Sequence, residues 1–182
     1  MRILAISGSL RASSTNTALV RAAVALAPDD MECLMYNGLA DLPHFSPEID
    51  DENSPPSVLS LREQLQAADG VFICTPEYAF GVPGSLKNAL DWTVSSGDLW
   101  GKPVAVVSAS PSPTGGDKAH AALLLTLTAL GARVPEQARL MIPAVNKKLN
   151  AKREVSDAET KQALVRVLDA LAQAIKACKP IA

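Results

Sequence analysis

The residues best suited to chemistry in this 182-residue chain lie in a hydroxyl-rich segment near its start, residues 7–16. The segment follows an apolar run and precedes a run with helical spacing, so it should join a strand to a helix. Ser9, Ser14 and Thr15 supply hydroxyls and Arg11 supplies a guanidinium, while the first helical turn adds backbone amides. These groups suit a phosphate dianion. The alternative is a simple cap and turn, because Ser, Thr and Asn favour helix starts.

Two common nucleotide-binding motifs are not supported. Gly8 stands alone, so the G-x-G-x-x-G pattern of dinucleotide sites is absent. Residues 97–102 approach a P-loop, but their spacing is wrong and Pro103 and a predicted strand follow. Hydrolysis of a nucleoside triphosphate therefore loses its main support.

A second segment, residues 74–84, contains two prolines and two glycines and should form a stiff, shaped loop after a strand. Tyr78 is the ring we expect to lie beside a flat heterocycle. Phe80 occupies the position that a Cys-x5-Arg phosphatase motif would give to arginine, so Cys74 is interpreted as a core residue.

A third segment, residues 108–117, contains Ser110 and the pair Gly115 and Gly116. Adjacent glycines allow the backbone to approach a ligand closely and can turn amides toward negative charge. Pro, Ser and Gly are also what an ordinary strand-to-helix turn uses. The three segments are more informative together, because parallel strands bring such loops to one edge of a sheet.

The elements that must position these loops alternate along the chain. Short apolar runs predict five strands, at residues 3–6, 31–36, 70–74, 104–109 and 138–142, with room for a helix after each. Ser54-Pro55 and a capping box beginning at Ser156 predict two helix starts. This alternation favours an α/β fold, a flavodoxin-like three-layer α/β/α sandwich with a five-stranded parallel sheet in the order 2-1-3-4-5. Residues 1–182 are expected to form a single domain.

The composition of the chain argues against several classes of partner and site. Seventeen Lys and Arg against nineteen Asp and Glu give a net charge of −2, so neither nucleic acid nor a membrane surface is an expected partner. Three widely spaced cysteines and the lack of a signal-like or membrane-spanning apolar run favour a cytoplasmic protein with reduced thiols. No metal site is expected, since the two histidines are isolated.

Taken together, the three loops resemble those of the NADPH-dependent FMN reductase family, flavodoxin-like proteins that include azo-dye, quinone and chromate reductases. The resemblance rests on residues 8–11 with Ser14 and Asn16, on residues 75–78, on residues 82–92, and on Ser110 with Gly115 and Gly116. Ala79 departs from the pattern where many relatives carry Asn, and Ser13 where Gly is common.

The resemblance implies an enzyme that uses bound FMN to pass hydride or electrons from NADPH or NADH to a small-molecule acceptor, namely a quinone, azo compound, flavin or metal oxyanion. It implies that the FMN phosphate is held by Ser9, Arg11, Ser14, Thr15 and Asn16. It implies that the ribityl chain and the ring are bordered by Pro76, Glu77 and Tyr78, and that the flavin is covered by a loop with Ser110, Gly115 and Gly116. No catalytic acid or base is nominated, because the cofactor performs the hydride chemistry. The amides of Gly115 and Gly116 are predicted to stabilise negative charge on the reduced flavin.

Other functions remain as alternatives. The nearest is a non-enzymatic FMN electron carrier or redox-sensing module, although such carriers are strongly acidic and this chain is nearly neutral. A phosphoacceptor domain would need an acidic cluster for magnesium at the strand ends, where Ser7-Gly8-Ser9 and Thr75-Pro76 stand instead. A serine hydrolase would need a G-x-S-x-G elbow, which is absent.

The predicted fourth helix, residues 119–130, is apolar over more of its surface than one sheet can cover. This predicts a homodimer or a dimer of dimers, which the resemblance also implies. The long loop 37–56 is expected near the flavin of its own or a neighbouring subunit. His44 is expected at the surface of that loop, and His120 at the start of the fourth helix.

Overall fold

A computed structural model of the chain describes residues 1–51 and 54–178. The predicted single domain also includes residues 52–53 and 179–182, and the predicted long loop includes residues 52–53; these positions lie outside the described residues. No helix in the described ranges combines the length and apolarity needed to cross a membrane.

Five strands form one parallel sheet in the order β2-β1-β3-β4-β5, which confirms the predicted order. The strands are β1 (Arg2–Ser7), β2 (Glu32–Tyr36), β3 (Gly70–Thr75), β4 (Val104–Ala109) and β5 (Arg139–Ile142). The register pairs Ser7 with Cys74 and Thr75 with Ser108, so β1, β3 and β4 end side by side. Their following loops therefore meet at one edge of the sheet.

Five helices cover the sheet: α1 (Thr15–Leu26), α2 (Pro56–Ala67), α3 (Gly84–Asp91), α4 (Asp117–Ala129) and α5 (Ala158–Cys178). Short 3-10 turns lie at Pro47–Ile49, Glu136–Ala138 and Val145–Lys148. Apolar residues of α1 and α5 pack in one core cluster, and those of α2, α3 and α4 pack in another. The result is the predicted α/β/α sandwich.

The central strands belong to both clusters because successive side chains of a strand point to opposite faces. Phe72 and Cys74 of β3 face the α1 and α5 side, whereas Val71 and Ile73 face the other side. Every residue of β3 and β4 is buried. Fully burying an aliphatic or aromatic side chain stabilises the fold by about 1.5–3 kcal/mol, so these strands contribute strongly to stability.

Two predicted helix caps differ from the structure. The α2 helix begins at Pro56, and the Ser54 side chain makes no cap bond with it, because the Ser54 hydroxyl donates to the Asp51 carbonyl. At α5 the capping side chain belongs to Asp157 rather than Ser156, because Asp157 Oδ2 accepts from both the amide and the hydroxyl of Thr160.

The long loop before α2 is fastened to α3 and α2. Asn88 accepts from the Phe45 amide at 2.8 Å and donates to the Pro43 carbonyl, and the Trp92 indole donates to the same carbonyl. The Phe45 ring meets Trp92 edge-on, with centroids 5.1 Å apart. Arg62 completes this contact by pairing with Asp50. We call these contacts of residues 43–50 with Asn88, Trp92 and Arg62 the clasp.

Candidate functional site

A cavity of about 370 Å³ lies where β1, β3 and β4 end. It brings together nine of the eleven predicted site residues and does not include Gly115 and Gly116. The nine are Ser9, Arg11, Ser14, Thr15, Asn16, Pro76, Glu77, Tyr78 and Ser110. Four further residues line it that the sequence did not single out: Ala109, Pro111, Asn146 and Arg153.

The start of α1 forms one end of the cavity. Ser14 caps the helix, because its side-chain oxygen accepts from the Thr17 amide at 3.3 Å. That bond leaves the Ser14 hydroxyl hydrogen available to a ligand. The amides of Thr15 and Asn16 have no acceptor among the described residues, as expected in the first turn of a helix. This end of the cavity is therefore rich in free donors.

Arg11 adds positive charge to the same end. Its guanidinium makes no hydrogen bond or ion pair within the part of the chain that the structure describes, and it lines the cavity with Ser9 and Thr15. An arginine that no carboxylate neutralises, next to free helix amides, favours an anionic ligand.

Gly8 lets the loop leave the sheet at this point. A β-carbon at Gly8 would lie 2.9 Å from Leu86 Cδ2 and 3.0 Å from Thr75 Oγ1, which is too close. The Gly8 amide donates to the Cys74 carbonyl at 2.8 Å. A larger residue would therefore push the loop away from α3 and β3.

The Asn16 side chain braces the start of α1 against the sheet. Its amide nitrogen donates to the Ala109 carbonyl at 3.3 Å, and its oxygen accepts from Cys74 Sγ at 3.3 Å. It thus ties the start of α1 to the ends of β3 and β4. Cys74 is fully buried, which confirms its interpretation as a core residue, and burial raises the pKa of its thiol far above the ordinary value. The Asn16 backbone amide remains for a ligand, as does the second hydrogen of its side-chain amide.

The Glu77 carboxylate caps α4. Its Oε2 accepts from the amides of Lys118 and Ala119, at 2.8 and 3.0 Å. The α4 N-cap is Gly116 in a left-handed conformation, and no side chain at that position caps the helix. Glu77 thus joins the loop after β3 to the loop after β4, and both loops border the cavity.

Tyr78 forms the first residue of a two-residue hairpin. Tyr78 and Gly81 exchange both backbone hydrogen bonds at 3.0 Å, and the two residues between them, Ala79 and Phe80, have φ of 49° and 60°. Non-glycine residues rarely adopt this conformation. Tyr78 lines the cavity and is 46% exposed, so its ring is open to a ligand; Phe80 is 79% exposed.

Gly115 and Gly116 do not line the cavity. The Gly115 amide donates to the Ser112 carbonyl, and the Gly115 carbonyl accepts from Ser108 Oγ at 2.9 Å. His120 Nδ1 lies 3.2 Å from the same Ser108 oxygen, so His120 supports this loop from within α4. Burial and the charge of Arg139 lower the pKa of His120 below its ordinary value.

The two overlooked polar residues, Asn146 and Arg153, follow β5. The rule that identified the other loops also applies here, because this loop too leaves the carboxyl end of a parallel strand. The segment lacks the hydroxyl and glycine pattern that distinguished the other loops, so only its position could have indicated it. Among the described residues, no group of three His, Cys, Asp or Glu side chains could hold a metal ion.

The chain is similar to known reductases over most of its length. The profile of a family described as NADPH-dependent FMN reductase matches residues 1–147. A quinone reductase of Escherichia coli is 34% identical over 183 aligned positions, covering 98% of this chain and 97% of the relative. An NAD(P)H-dependent FMN reductase of Pseudomonas aeruginosa is 31% identical over 173 positions, covering 94% and 93%.

A solved structure of an oxidoreductase is also similar to this chain. The flavoenzyme NAD(P)H:(acceptor) oxidoreductase of Paracoccus denitrificans superimposes with a TM-score of 0.86 and 30% sequence identity, covering 97% of each chain. The similarity to the bacterial relatives therefore extends over nearly the whole chain.

Proposed function

Because the chain belongs to the NADPH-dependent FMN reductase family, and so to the NAD(P)H-dependent oxidoreductases, we propose that its cavity binds FMN and that NADH or NADPH is the electron donor. The acceptor is a small molecule, for which a quinone is the first candidate. The observation that carries the proposal is the cavity at the ends of β1, β3 and β4, where free amides and the Arg11 guanidinium meet.

The donor set at the α1 end fits a phosphate monoester. The amides of Thr15 and Asn16 and the hydroxyl of Ser14 have hydrogens to donate, and Arg11 supplies a cation. The helix N-terminus adds a partial positive charge. In this proposal the phosphate of FMN lies at this end, held by Ser9, Arg11, Ser14, Thr15 and the backbone of Asn16.

The rest of the cavity lining suits the ribityl chain and the flat ring. Pro76, Tyr78, Ala109 and Pro111 line it with apolar or aromatic surface, and Ser110 adds a polar group. The Glu77 carboxylate already accepts from two amides of α4, so we assign Glu77 to shaping this wall with its backbone and not to a charged contact with the ring.

Bound FMN would supply the redox chemistry, accepting hydride from the nicotinamide and passing electrons to the acceptor. The chain's own residues bind the phosphate, orient the ring and leave one face open. The amides of Gly115 and Gly116 were predicted to stabilise negative charge on the reduced flavin. The Gly115 amide is not free for this role, because it donates to the Ser112 carbonyl in the described conformation. The Gly116 amide has no acceptor in the described part of the chain, so it alone keeps that proposed role, although Gly116 does not line the cavity in the described conformation.

The choice of a quinone follows from the relatives. The Escherichia coli relative is named as a quinone reductase, and the Paracoccus denitrificans protein as an NAD(P)H:(acceptor) oxidoreductase. The exposed Tyr78 ring suits stacking of a planar acceptor on an open site. Azo compounds, free flavins and metal oxyanions remain further candidates for the same site.

We also propose a homodimer or a dimer of dimers. Leu123 and Leu127 of α4 are fully buried against the sheet, whereas Leu125 is 74% exposed on the other side of the helix. A light-scattering mass equal to one chain at working concentration would contradict this proposal.

The function is tested with purified protein reconstituted with FMN. We expect flavin absorbance to remain after removal of excess ligand, to bleach on anaerobic addition of NADH or NADPH, and to recover on addition of benzoquinone. Steady NAD(P)H oxidation with benzoquinone separates an enzyme from an electron carrier, which would show almost none without a separate reductase. A protein that retains no FMN after reconstitution would overturn the proposal.

A further inference from the structure

Arg153 lies beyond residue 147, where the family match ends, yet it lines the same cavity as Arg11. It also lines a neighbouring groove of about 610 Å³ that runs along α1. Ser14 and Arg153 are the residues common to both spaces, so they form the wall between them. This shared wall places Arg153 near Ser14, at the α1 end of the cavity.

A tight, well-bonded turn holds Arg153 in place. Asn150 and Glu154 exchange three hydrogen bonds of 2.9–3.0 Å, two of which involve their side chains. The Arg153 amide donates to the Asn150 carbonyl at 2.9 Å. The Glu154 carboxylate bonds to the Asn150 side chain and forms no ion pair with Arg153 in the described part of the chain. The Arg153 guanidinium has no hydrogen bond or ion pair among residues 1–51 and 54–178.

The backbone of Arg153 is in an unfavourable conformation. Its φ is 61°, in the left-handed region where Gly or Asn costs less than a long side chain. A strained residue at the wall of a ligand cavity suggests that its side chain has a function there.

We infer that Arg153 supplies a second guanidinium to the phosphate of the bound flavin, opposite the motif residue Arg11. This inference rests on the proposed function. A phosphate monoester carries nearly two negative charges at neutral pH, whereas the motif loop of residues 7–16 contributes one cation. The turn before α5 provides the second, and two guanidinium groups bind such an anion better than one.

The test compares FMN with riboflavin, which lacks the phosphate, by quenching of flavin fluorescence on titration with apoprotein. The variant R153N removes the charge while keeping a residue that tolerates a left-handed φ. We expect R153N to weaken FMN binding about tenfold while riboflavin binding changes less than about twofold. R153K should restore part of the affinity, since it keeps the charge without the planar fork.

The matched control is K152N, which removes the neighbouring charge from a residue that lines only the groove. We expect its FMN affinity to stay within about twofold of wild type. Thermal unfolding of the apoprotein provides a second readout: R153N should be at least as stable as wild type, whereas a structural role for Arg153 would make it less stable.

The outcomes separate this inference from the proposed function. Wild type that binds FMN, with R153N binding it equally well, would overturn the inference alone. Equal losses in R153N and K152N would also overturn it, because they would indicate a general charge effect; so would equal losses of FMN and riboflavin, which would indicate damage to the cavity wall. Wild type that binds neither flavin would overturn the proposed function together with this inference.

Discussion

The clasp and the cavity use arginine in opposite ways. In the clasp, Arg62 donates to the Trp92 carbonyl, to Ser54, to Ser95 and to Asp50, and its side chain is 11% exposed. In the cavity, the guanidinium groups of Arg11 and Arg153 have no partner among the described residues. A saturated arginine holds two parts of the fold together, whereas an unsaturated one is available to a ligand.

The clasp and the cavity edge also differ in backbone strain. The non-glycine residues with positive φ in the described ranges are Ala79, Phe80, Ala144 and Arg153. The first two follow β3 and the other two follow β5, so all four lie in loops at the carboxyl edge of the sheet. The clasp has none. The two regions therefore differ in what they contribute: the clasp stabilises the fold, and the cavity edge gives up some stability to shape a site.

The largest expected effect is a loss of stability when the clasp is broken. R62A leaves the Asp50 carboxylate, whose side chain is 5% exposed, without its cation, and should lower the free energy of unfolding by about 3 kcal/mol. Urea denaturation measures this change. The matched control is R2A, which removes the exposed Arg2–Glu32 pair and should cost less than about 0.5 kcal/mol. Equal effects of R62A and R2A would mean that the clasp is no stronger than a surface pair.

The next effect concerns ligand binding rather than stability. R11A should weaken FMN binding by about 30-fold, or about 2 kcal/mol, because it removes a charge-assisted contact with the phosphate. The unfolding free energy of the apoprotein should change by less than about 0.5 kcal/mol, since the Arg11 guanidinium has no partner among the described residues to lose. Fluorescence titration and urea denaturation of the same sample measure both. A large loss of stability would place Arg11 with Arg62 as a structural residue.

A smaller effect tests the strain at the cavity edge. A79G should raise the unfolding free energy by about 1 kcal/mol, because glycine adopts a φ of 49° without the steric cost paid by alanine. The control is G81A, at a position whose β-carbon would have its nearest neighbour 3.8 Å away and whose φ is not in the left-handed region. If A79G and G81A are equally destabilising, the hairpin is not strained at Ala79.

The smallest effect is a pH dependence at the wall that joins α4 to the cavity. Burial and the charge of Arg139 lower the pKa of His120 below its ordinary value of 6.5. Below pH 6.5 the unfolded chain takes up a proton at His120 before the folded chain does, so stability falls as the pH drops toward the folded pKa. Above pH 6.5 this contribution is constant.

Thermal melts between about pH 5 and 8 measure how stability changes with pH. This range extends about one and a half units either side of the ordinary histidine pKa. H120N should flatten this pH dependence, because asparagine can donate to Ser108 without titrating. H44N is the control, since His44 is exposed on the long loop as predicted. A slope unchanged in H120N would assign the pH dependence to other groups.

The sequence was sufficient to predict most of the sheet and the first three loops. Apolar runs predicted every strand boundary to within one residue, because buried central strands leave a continuous signal, as in residues 104–109. The β1 loop stood out because Ser, Thr and Arg cluster where a helix must start. Helix caps were less accurate: Ser156 and Asp157 are both good caps, and the choice depends on the position of Thr160.

What the sequence did not reveal depends on contacts between distant segments. Glu77 was expected at the ring, but its carboxylate is held by α4, forty-one residues further along the chain. Arg153 lines the cavity because the turn before α5 folds against it, and no local sequence pattern indicates this position. The long loop 37–56 was expected near the flavin, yet its described residues do not line this cavity and the clasp holds it against α3; a neighbouring subunit's site remains a prediction.

The brace formed by Asn16 has a kinetic consequence. Because Asn16 fastens the first turn of α1 to the ends of two central strands, we expect the anchoring end of the cavity to be formed before the ligand arrives. Association should then be a single step whose observed rate rises linearly with ligand concentration and does not level off at a ceiling set by loop closure. Stopped-flow mixing of apoprotein with FMN would measure that rate directly.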